Sequence, residues 1–289
     1  MNTLNKNIKR IIIIALTAVL VLSAVLAFML NYHNIYAFVE RQGWNCRPVA
    51  ITRVDASTYV EYSTDELLLD DRVTLEQSLM LINTTYTLSE DFVPDVAEYK
   101  DTTVFMSRSM IEAYAQLSGV VKELTGNKLY VSSDLRTREE QEALYREDPD
   151  TATLPGASEH QSGLALDVYV ANYAGDAFLK SPSGRFVNSH AHEYGFIVRY
   201  PSYGEDQTGI RFEPWHIRYV GAPHADVIYN NHITLEEYIF SLEIGEWYEI
   251  GGYLVSRQNI GDTVKMPDVF ESCVISPDNT GCYIITVEK

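Results

Sequence analysis

The chain has 289 residues, 46% of them hydrophobic, and carries 40 Asp and Glu against 22 Lys and Arg, for a formal charge of −18. Length and composition suffice for a globular core. The acidic balance excludes nucleic acid as a partner, because binding a polyanion needs clustered basic residues to displace counterions.

Lys6, Lys9 and Arg10 lead into residues 11–30, an uncharged and almost wholly apolar run long enough to span a bilayer as a helix. The basic flank before this run places the N-terminus in the cytoplasm and everything after it outside. A cleaved signal peptide is the competing reading. Against it, the exit at residues 28–32 has no small-x-small pair, and Ala24 and Ala27 lie inside the run. Residues 31–73 lack sustained periodicity and read as an extracytoplasmic spacer.

From residue 74 the pattern becomes that of a folded domain. Met110, Ile111, Tyr114, Leu117, Val121 and Leu124 recur at helical spacing over 107–124, and Gly126-Asn127 supplies a stop. A short strand over 129–132 precedes a charged helix over 137–146, closed off by Pro149. Further strands are expected over 164–170, 196–200 and 215–220, with a helix over 188–194 that ends at Gly195. Strands and helices mix without strict alternation, which predicts an α+β fold with a mixed, antiparallel-rich sheet and flanking helices. After residue 235, β-prone stretches at 253–256, 274–276 and 283–287 are separated by Gly, Asp and Pro, the pattern of a small β appendage. The expected division is therefore 1–30 anchor, 31–73 spacer, 74–234 catalytic domain and 235–289 extension. Three cysteines, Cys46, Cys273 and Cys282, are too few for a disulfide scaffold. Cys273 and Cys282 either close one bridge or remain two half-buried thiols.

The segment from Ser158 to Asp167 puts His160 in a flexible loop and Asp167 inside an apolar strand, where a carboxylate needs a partner. A metal ion is one such partner; backbone or an Arg is the other. Further on, strand alternation puts His216, Arg218 and Val220 on one face, while Pro214 breaks the ladder and frees Glu213 to point near His216. Two imidazoles and a carboxylate make a three-ligand zinc site with an open position for water, and an unligated Glu beside it suits a water-activating base. His190 and His192 point apart on one helix, His224 and His232 are expected to be solvated, and His33 sits just outside the membrane.

These residues resemble the VanY-type D-Ala-D-Ala carboxypeptidases, within the zinc peptidases that include the VanX dipeptidases and the hedgehog-like fold. The resemblance rests on S-x-H-x-x-G-x-A-x-D, met in full from Ser158 to Asp167, and on E-x-W-H, met from Glu213 to His216. The segment from Tyr194 to Pro201, and Arg136 with Gln141 five positions on, extend it, so that it spans roughly Leu75 to His232. It implies zinc bound by His160, Asp167 and His216, Glu213 as general base and then acid, and Arg136 as the cation for the developing oxyanion. Ser158 and Gln141 are expected to contact the substrate; a loop cap and a helix-face polar residue are the competing readings. The family often writes an aromatic just before the Arg, where this chain has Asp134-Leu135, which is expected to alter the wall beside that cation.

The implied activity is removal of the terminal D-Ala from stem pentapeptides of peptidoglycan or their lipid-linked precursor, in wall remodelling or glycopeptide resistance. L,D-carboxypeptidase action on tetrapeptide stems and a non-catalytic zinc-dependent wall-binding module are the alternatives. Glu213 and Arg136 speak against the module, since binding alone needs neither a proton shuttle nor an oxyanion partner.

Overall fold

The computed structural model describes residues 2–259, 261 and 263–288. Helix α1 (Asn2–Leu30) contains Ile8–Leu30, which among the described residues is long and apolar enough to cross a membrane and has none of its apolar window buried in the protein. One residue later the chain enters a second helix, α2 (Tyr32–Glu40).

Residues 31–73 are not a free spacer. They supply β1 (Thr52–Val54), β2 (Val60–Ser63) and the first residue of β3 (Val73–Leu75). A hairpin follows, β4 (Val96–Glu98) with β5 (Phe105–Ser107). The central sheet is built from β6 (Tyr130–Ser133), β7 (Ala165–Tyr169), β8 (Phe196–Val198) and β9 (His216–Tyr219), antiparallel throughout in the order β6-β7-β9-β8. The C-terminal strands are β10 (Trp247–Ile250), β11 (Tyr253–Asn259), β12 (Thr263–Met266), β13 (Ser272–Pro277) and β14 (Cys282–Glu288). They recruit the early strands into a six-stranded sheet, β1-β10-β11-β14-β13-β3, and a two-stranded one, β12-β2.

The expected helices form for local reasons. Ile111–Thr125 turns Tyr114, Leu117 and Val121 into the core and stops at Gly126, which takes the left-handed conformation at φ 73°. Arg138–Glu147 starts from a reciprocal capping box between Thr137 and Glu140. The helix expected over 188–194 is in fact Pro182–His190 followed by a 3-10 turn, Ala191–Tyr194. Its start carries the signals of Ser181 as cap and Pro182 in the first turn. The extension read as a small β appendage opens with another helix, Leu235–Ser241, capped by Thr234 and Glu237.

Apolar residues of β14 do not alternate with polar ones because both faces of the six-stranded sheet are covered. Ile284 joins Tyr248, Ile250 and Val255 against the helices His224–Asn230 and Leu235–Ser241, whereas Ile285 and Val287 join Trp247 and Leu254 on the other side. A buried histidine stitches that first interface. His224 lies 2.6 Å through Nδ1 from the Tyr238 hydroxyl and 2.9 Å through Nε2 from the Thr286 hydroxyl, so it is not the solvated residue expected from sequence. His232 is half-buried as well, donating from Nε2 to the carbonyl of Glu40 at 2.7 Å. Cys273 and Cys282 are free thiols on neighbouring strands, the unbridged alternative.

Burial pushes the His224 imidazole down to about 3. Between that value and the unfolded value near 6.5, the unfolded chain binds a proton that the folded chain does not, so unfolding is favoured as pH falls. His224 is therefore expected to contribute fully above about pH 6.5 and to lose about 1.4 kcal/mol per unit of acidification below it. Chemical unfolding of the detergent-solubilised protein at pH 7.5 and 5, beside His224→Gln, checks this: the variant should show a shallower pH dependence, and equal slopes would contradict the assignment.

Candidate metal centre and catalytic cleft

The site grows out of the central sheet. Asp167 on β7 stands directly opposite His216 at the start of β9, so the strand register alone brings a carboxylate and an imidazole together. His160 comes from a buried 3-10 turn, Glu159–Ser162, just before β7, rather than from a flexible loop. Gly163 closes that turn at φ 69°, and a Cβ there would meet Val96 of β4 at 2.5 Å. The glycine of the first motif thus answers two needs, a left-handed backbone and close approach of the hairpin. The hairpin adds two bonds of its own, from Ser107 N to Gly163 O at 2.8 Å and from Leu135 N to Phe105 O at 3.2 Å.

Ligating atoms of His160, Asp167 and His216 lie within 4.8 Å of one another. Each imidazole is oriented from behind. His160 donates from Nδ1 to the Asp134 carbonyl at 2.9 Å, which leaves Nε2 facing Asp167 Oδ2 at 3.5 Å. His216 turns Nδ1 toward Asp167 Oδ1 at 3.0 Å, while Nε2 faces Glu159 Oε2 at 3.6 Å. Those last two atoms are both buried with no other partner. Such a pair fits a metal-ligating histidine, whose second nitrogen commonly donates to a carboxylate. Two imidazoles and one carboxylate also match the ligand count of a catalytic metal site with an open position.

Glu213 stands beside this cluster without belonging to it. Its Oε2 is 3.9 Å from His216 Nδ1, and its backbone is pinned on both sides: Glu213 N donates to Tyr200 O at 3.0 Å, and Asn188 Nδ2 donates to Pro214 O at 2.8 Å. Burial pushes the Glu213 carboxyl up, against the pull of His216. Arg136 is held by Ser133 Oγ at 2.8 Å and Gln141 Oε1 at 2.9 Å. The Gln141 amide also donates to Thr153 O at 2.6 Å, so each end of it is bonded and it braces Arg136 at the cleft wall. Asp134 likewise acts as a brace, accepting from Phe105 N at 2.6 Å while its carbonyl fixes His160. Arg136, Gln141, Ser158, His160, Asp167, Glu213 and His216 all line one cleft, with Tyr200 and Trp215 in its wall.

Glu159 is the residue that sequence reasoning passed over. Its side chain is wholly buried, and Oε1 accepts from Arg199 Nε at 2.7 Å and Arg218 Nη1 at 2.6 Å. Arg199 is clamped in turn by both oxygens of Glu236 at 2.6 and 2.9 Å, and Arg218 donates to the carbonyls of Ser78 and Met80. Burial alone would raise the Glu159 carboxyl, and the two guanidiniums reverse this, holding it well below the usual carboxylate range. Burial by itself would lower the His216 imidazole, but its bond to Asp167 and the nearby Glu159 carboxylate more than reverse the effect and raise it to about 9. The available signal was an Arg at the end of the apolar run Phe196-Ile197-Val198, since a charge buried there demands a partner.

A clustered His/Asp/His donor set with an unligated carboxylate beside it defines a class of site, one suited to metal-assisted hydrolysis. Comparisons with known proteins narrow the class. The VanY family, D-alanyl-D-alanine carboxypeptidase, matches residues 103–222. A D-alanyl-D-alanine carboxypeptidase of Enterococcus faecium is 31% identical over 251 residues, covering 78% of this chain and 80% of that protein. Among solved structures, a mutant of the vancomycin resistance D,D-pentapeptidase VanY, in complex with Zn(II), is 27% identical with a TM-score of 0.51, covering 57% of this chain and 99% of that one. The LdcB LD-carboxypeptidase is 30% identical with a TM-score of 0.52, covering 60% and 92%. The chain belongs to the VanY family of D-alanyl-D-alanine carboxypeptidases.

Proposed function

We propose that the chain is a zinc D,D-carboxypeptidase, anchored through residues 11–30 with its catalytic domain outside the cytoplasmic membrane, that removes the terminal D-alanine from stem pentapeptides of peptidoglycan or their lipid-linked precursor. The observation that carries this reading is the donor set of His160, Asp167 and His216 with Glu213 beside it and outside it. When bound there, zinc supplies Lewis-acid charge and makes a water acidic enough to deprotonate near neutral pH.

The remaining work falls to the chain's own side chains. Glu213 takes the proton from the attacking water and returns it to the leaving amine, a double role that suits a carboxyl raised by burial. Arg136, braced by Ser133 and Gln141, holds the carbonyl oxygen as it gains charge. Ser158, on the cleft wall, contacts the substrate. Glu159 keeps the His216 Nε2 proton engaged and so leaves Nδ1 for the metal.

The test is mass spectrometry of stem tri-, tetra- and pentapeptides incubated with the zinc-loaded protein. Loss of one D-alanine from the pentapeptide alone is expected. Trimming of the tetrapeptide instead would assign the chain to the L,D-specific branch, to which the LdcB LD-carboxypeptidase belongs. Peptide binding with no release of a terminal residue would replace the enzyme by a wall-binding module.

A further inference from the structure

We propose that the outward face of α2 lies in the headgroup layer of a bilayer and holds the catalytic cleft at the membrane surface. This rests on the reading of residues 11–30 as an uncleaved anchor. Helix α2 has two apolar faces. Its inner face packs on the catalytic body: the Tyr36 ring stacks on Phe212 at 6.3 Å and His33 lies 5.2 Å from the same ring. Glu40 Oε2 accepts from Ser202 N at 2.9 Å, Arg41 Nε donates to Ser202 O at 2.8 Å, and Ser202 Oγ donates to Ala37 O at 2.9 Å.

The outer face carries Ile35 at 37% and Phe38 at 60% exposure, while Val39 at 36% and Trp44, 71% exposed in the following turn, stand at the edge of a cavity that α2 shares with Tyr229 and His232. A helix that is apolar on both sides needs cover on both sides. Only one residue separates it from the end of the membrane-crossing helix at Leu30, so the bilayer surface is the nearest apolar medium. Exposed Trp and Phe beside a span suit that layer. Arg41, Arg185 and Arg211 lie beside the helix, offset in part by Glu40, Asp176 and Glu205, on a chain that is otherwise strongly acidic. Such a rim suits anionic headgroups.

The consequence reaches the active site, because the inner face of α2 grips both legs of the loop that carries the base. Phe212 precedes Glu213, and Ser202 lies two residues after Tyr200, whose carbonyl holds Glu213 N. The cleft is therefore fixed close to the membrane exit of the anchor. A stem peptide tethered to lipid at short range is within its reach.

The experiment uses the full chain in vesicles of phosphatidylglycerol and phosphatidylethanolamine that carry spin-labelled lipid, with Trp44→Phe as reference. Trp247 is buried and Trp215 lines the cleft, so the difference between the two proteins isolates Trp44. Trp44 emission should be quenched most by labels near the headgroup and least by labels at the chain ends. Unquenched Trp44 in protein that stays with the vesicles overturns the proposal, as does release of a processed soluble chain. In a second arm, Phe38→Glu should lower turnover of a lipid-tethered pentapeptide by about tenfold or more, through lost effective concentration, while leaving that of the free pentapeptide within about twofold. Equal losses on both substrates would also overturn it. Quenching of Trp44 in a parent that cleaves neither peptide would support the membrane contact and count against the proposed function alone.

Discussion

Glu213→Gln is expected to keep its metal and its fold while single-turnover release of D-alanine falls by about 10²- to 10⁴-fold, the usual worth of a positioned general acid-base. The donors His160, Asp167 and His216 are untouched by this change, and Gln is nearly isosteric with Glu. The Glu213 backbone is held by Tyr200 O and, through Pro214, by Asn188, so the loop keeps its path without the carboxylate. What the amide lacks is basicity. Metal content by elemental analysis and peptide binding should match the parent, which separates lost proton transfer from lost binding. Parent-level turnover would show that another group takes the proton.

The cluster of His160, Asp167 and His216 was legible in the sequence because its residues sit in two compact motifs on strands that pair directly. His160 lies on the turn that feeds β7, seven residues before Asp167, and although His216 is 49 residues further on, it opens a strand paired directly with β7, so each ligand lies inside a motif that can be read on its own. Glu159 was not legible: beside His160 it reads as a surface acid, and its role appears only when Arg199 and Arg218 arrive from 40 and 59 residues away. The same reason hides the early strands. β1 and β3 are three residues each, too short for a periodic signal, and they pair with β10 and β13 near the far end of the chain. Some missed features were local and readable. Ser181-Pro182 and Thr234-x-x-Glu237 are ordinary helix-start signals, and both begin helices that the hydrophobic pattern alone did not mark.

The buried charges explain why catalytic body and C-terminal sheet behave as one structure. Glu236 belongs to the helix Leu235–Ser241, beyond the segment matched by the family, yet it clamps Arg199, and Arg199 holds Glu159 against His216. His224 ties that same helix to β14 through Tyr238 and Thr286. The extension therefore supports the site from behind and is not an appendage.

His216→Ala is expected to abolish both turnover and specific zinc uptake, and Glu159→Gln is expected to fall between it and the parent. Removing His216 leaves two of three ligands, below the count of catalytic zinc sites. Zinc at about 100 times its dissociation constant should stabilise the parent against unfolding by about 2.7 kcal/mol, because it binds only the folded chain, and this increment should vanish in His216→Ala. Glu159→Gln keeps all three ligands but weakens the acceptor for the His216 Nε2 proton, so zinc affinity should drop by about 10- to 100-fold, the usual effect of losing an outer partner. The same change takes the carboxylate from Arg218 in a site with no solvent exposure, while Arg199 keeps Glu236, and a buried charge left without its partner costs about 3–5 kcal/mol. The two effects are distinguishable. Chelator competition reads the affinity and urea unfolding without zinc reads the charge, and a Glu159→Gln protein that is destabilised yet binds zinc as tightly as the parent would confine Glu159 to a structural role.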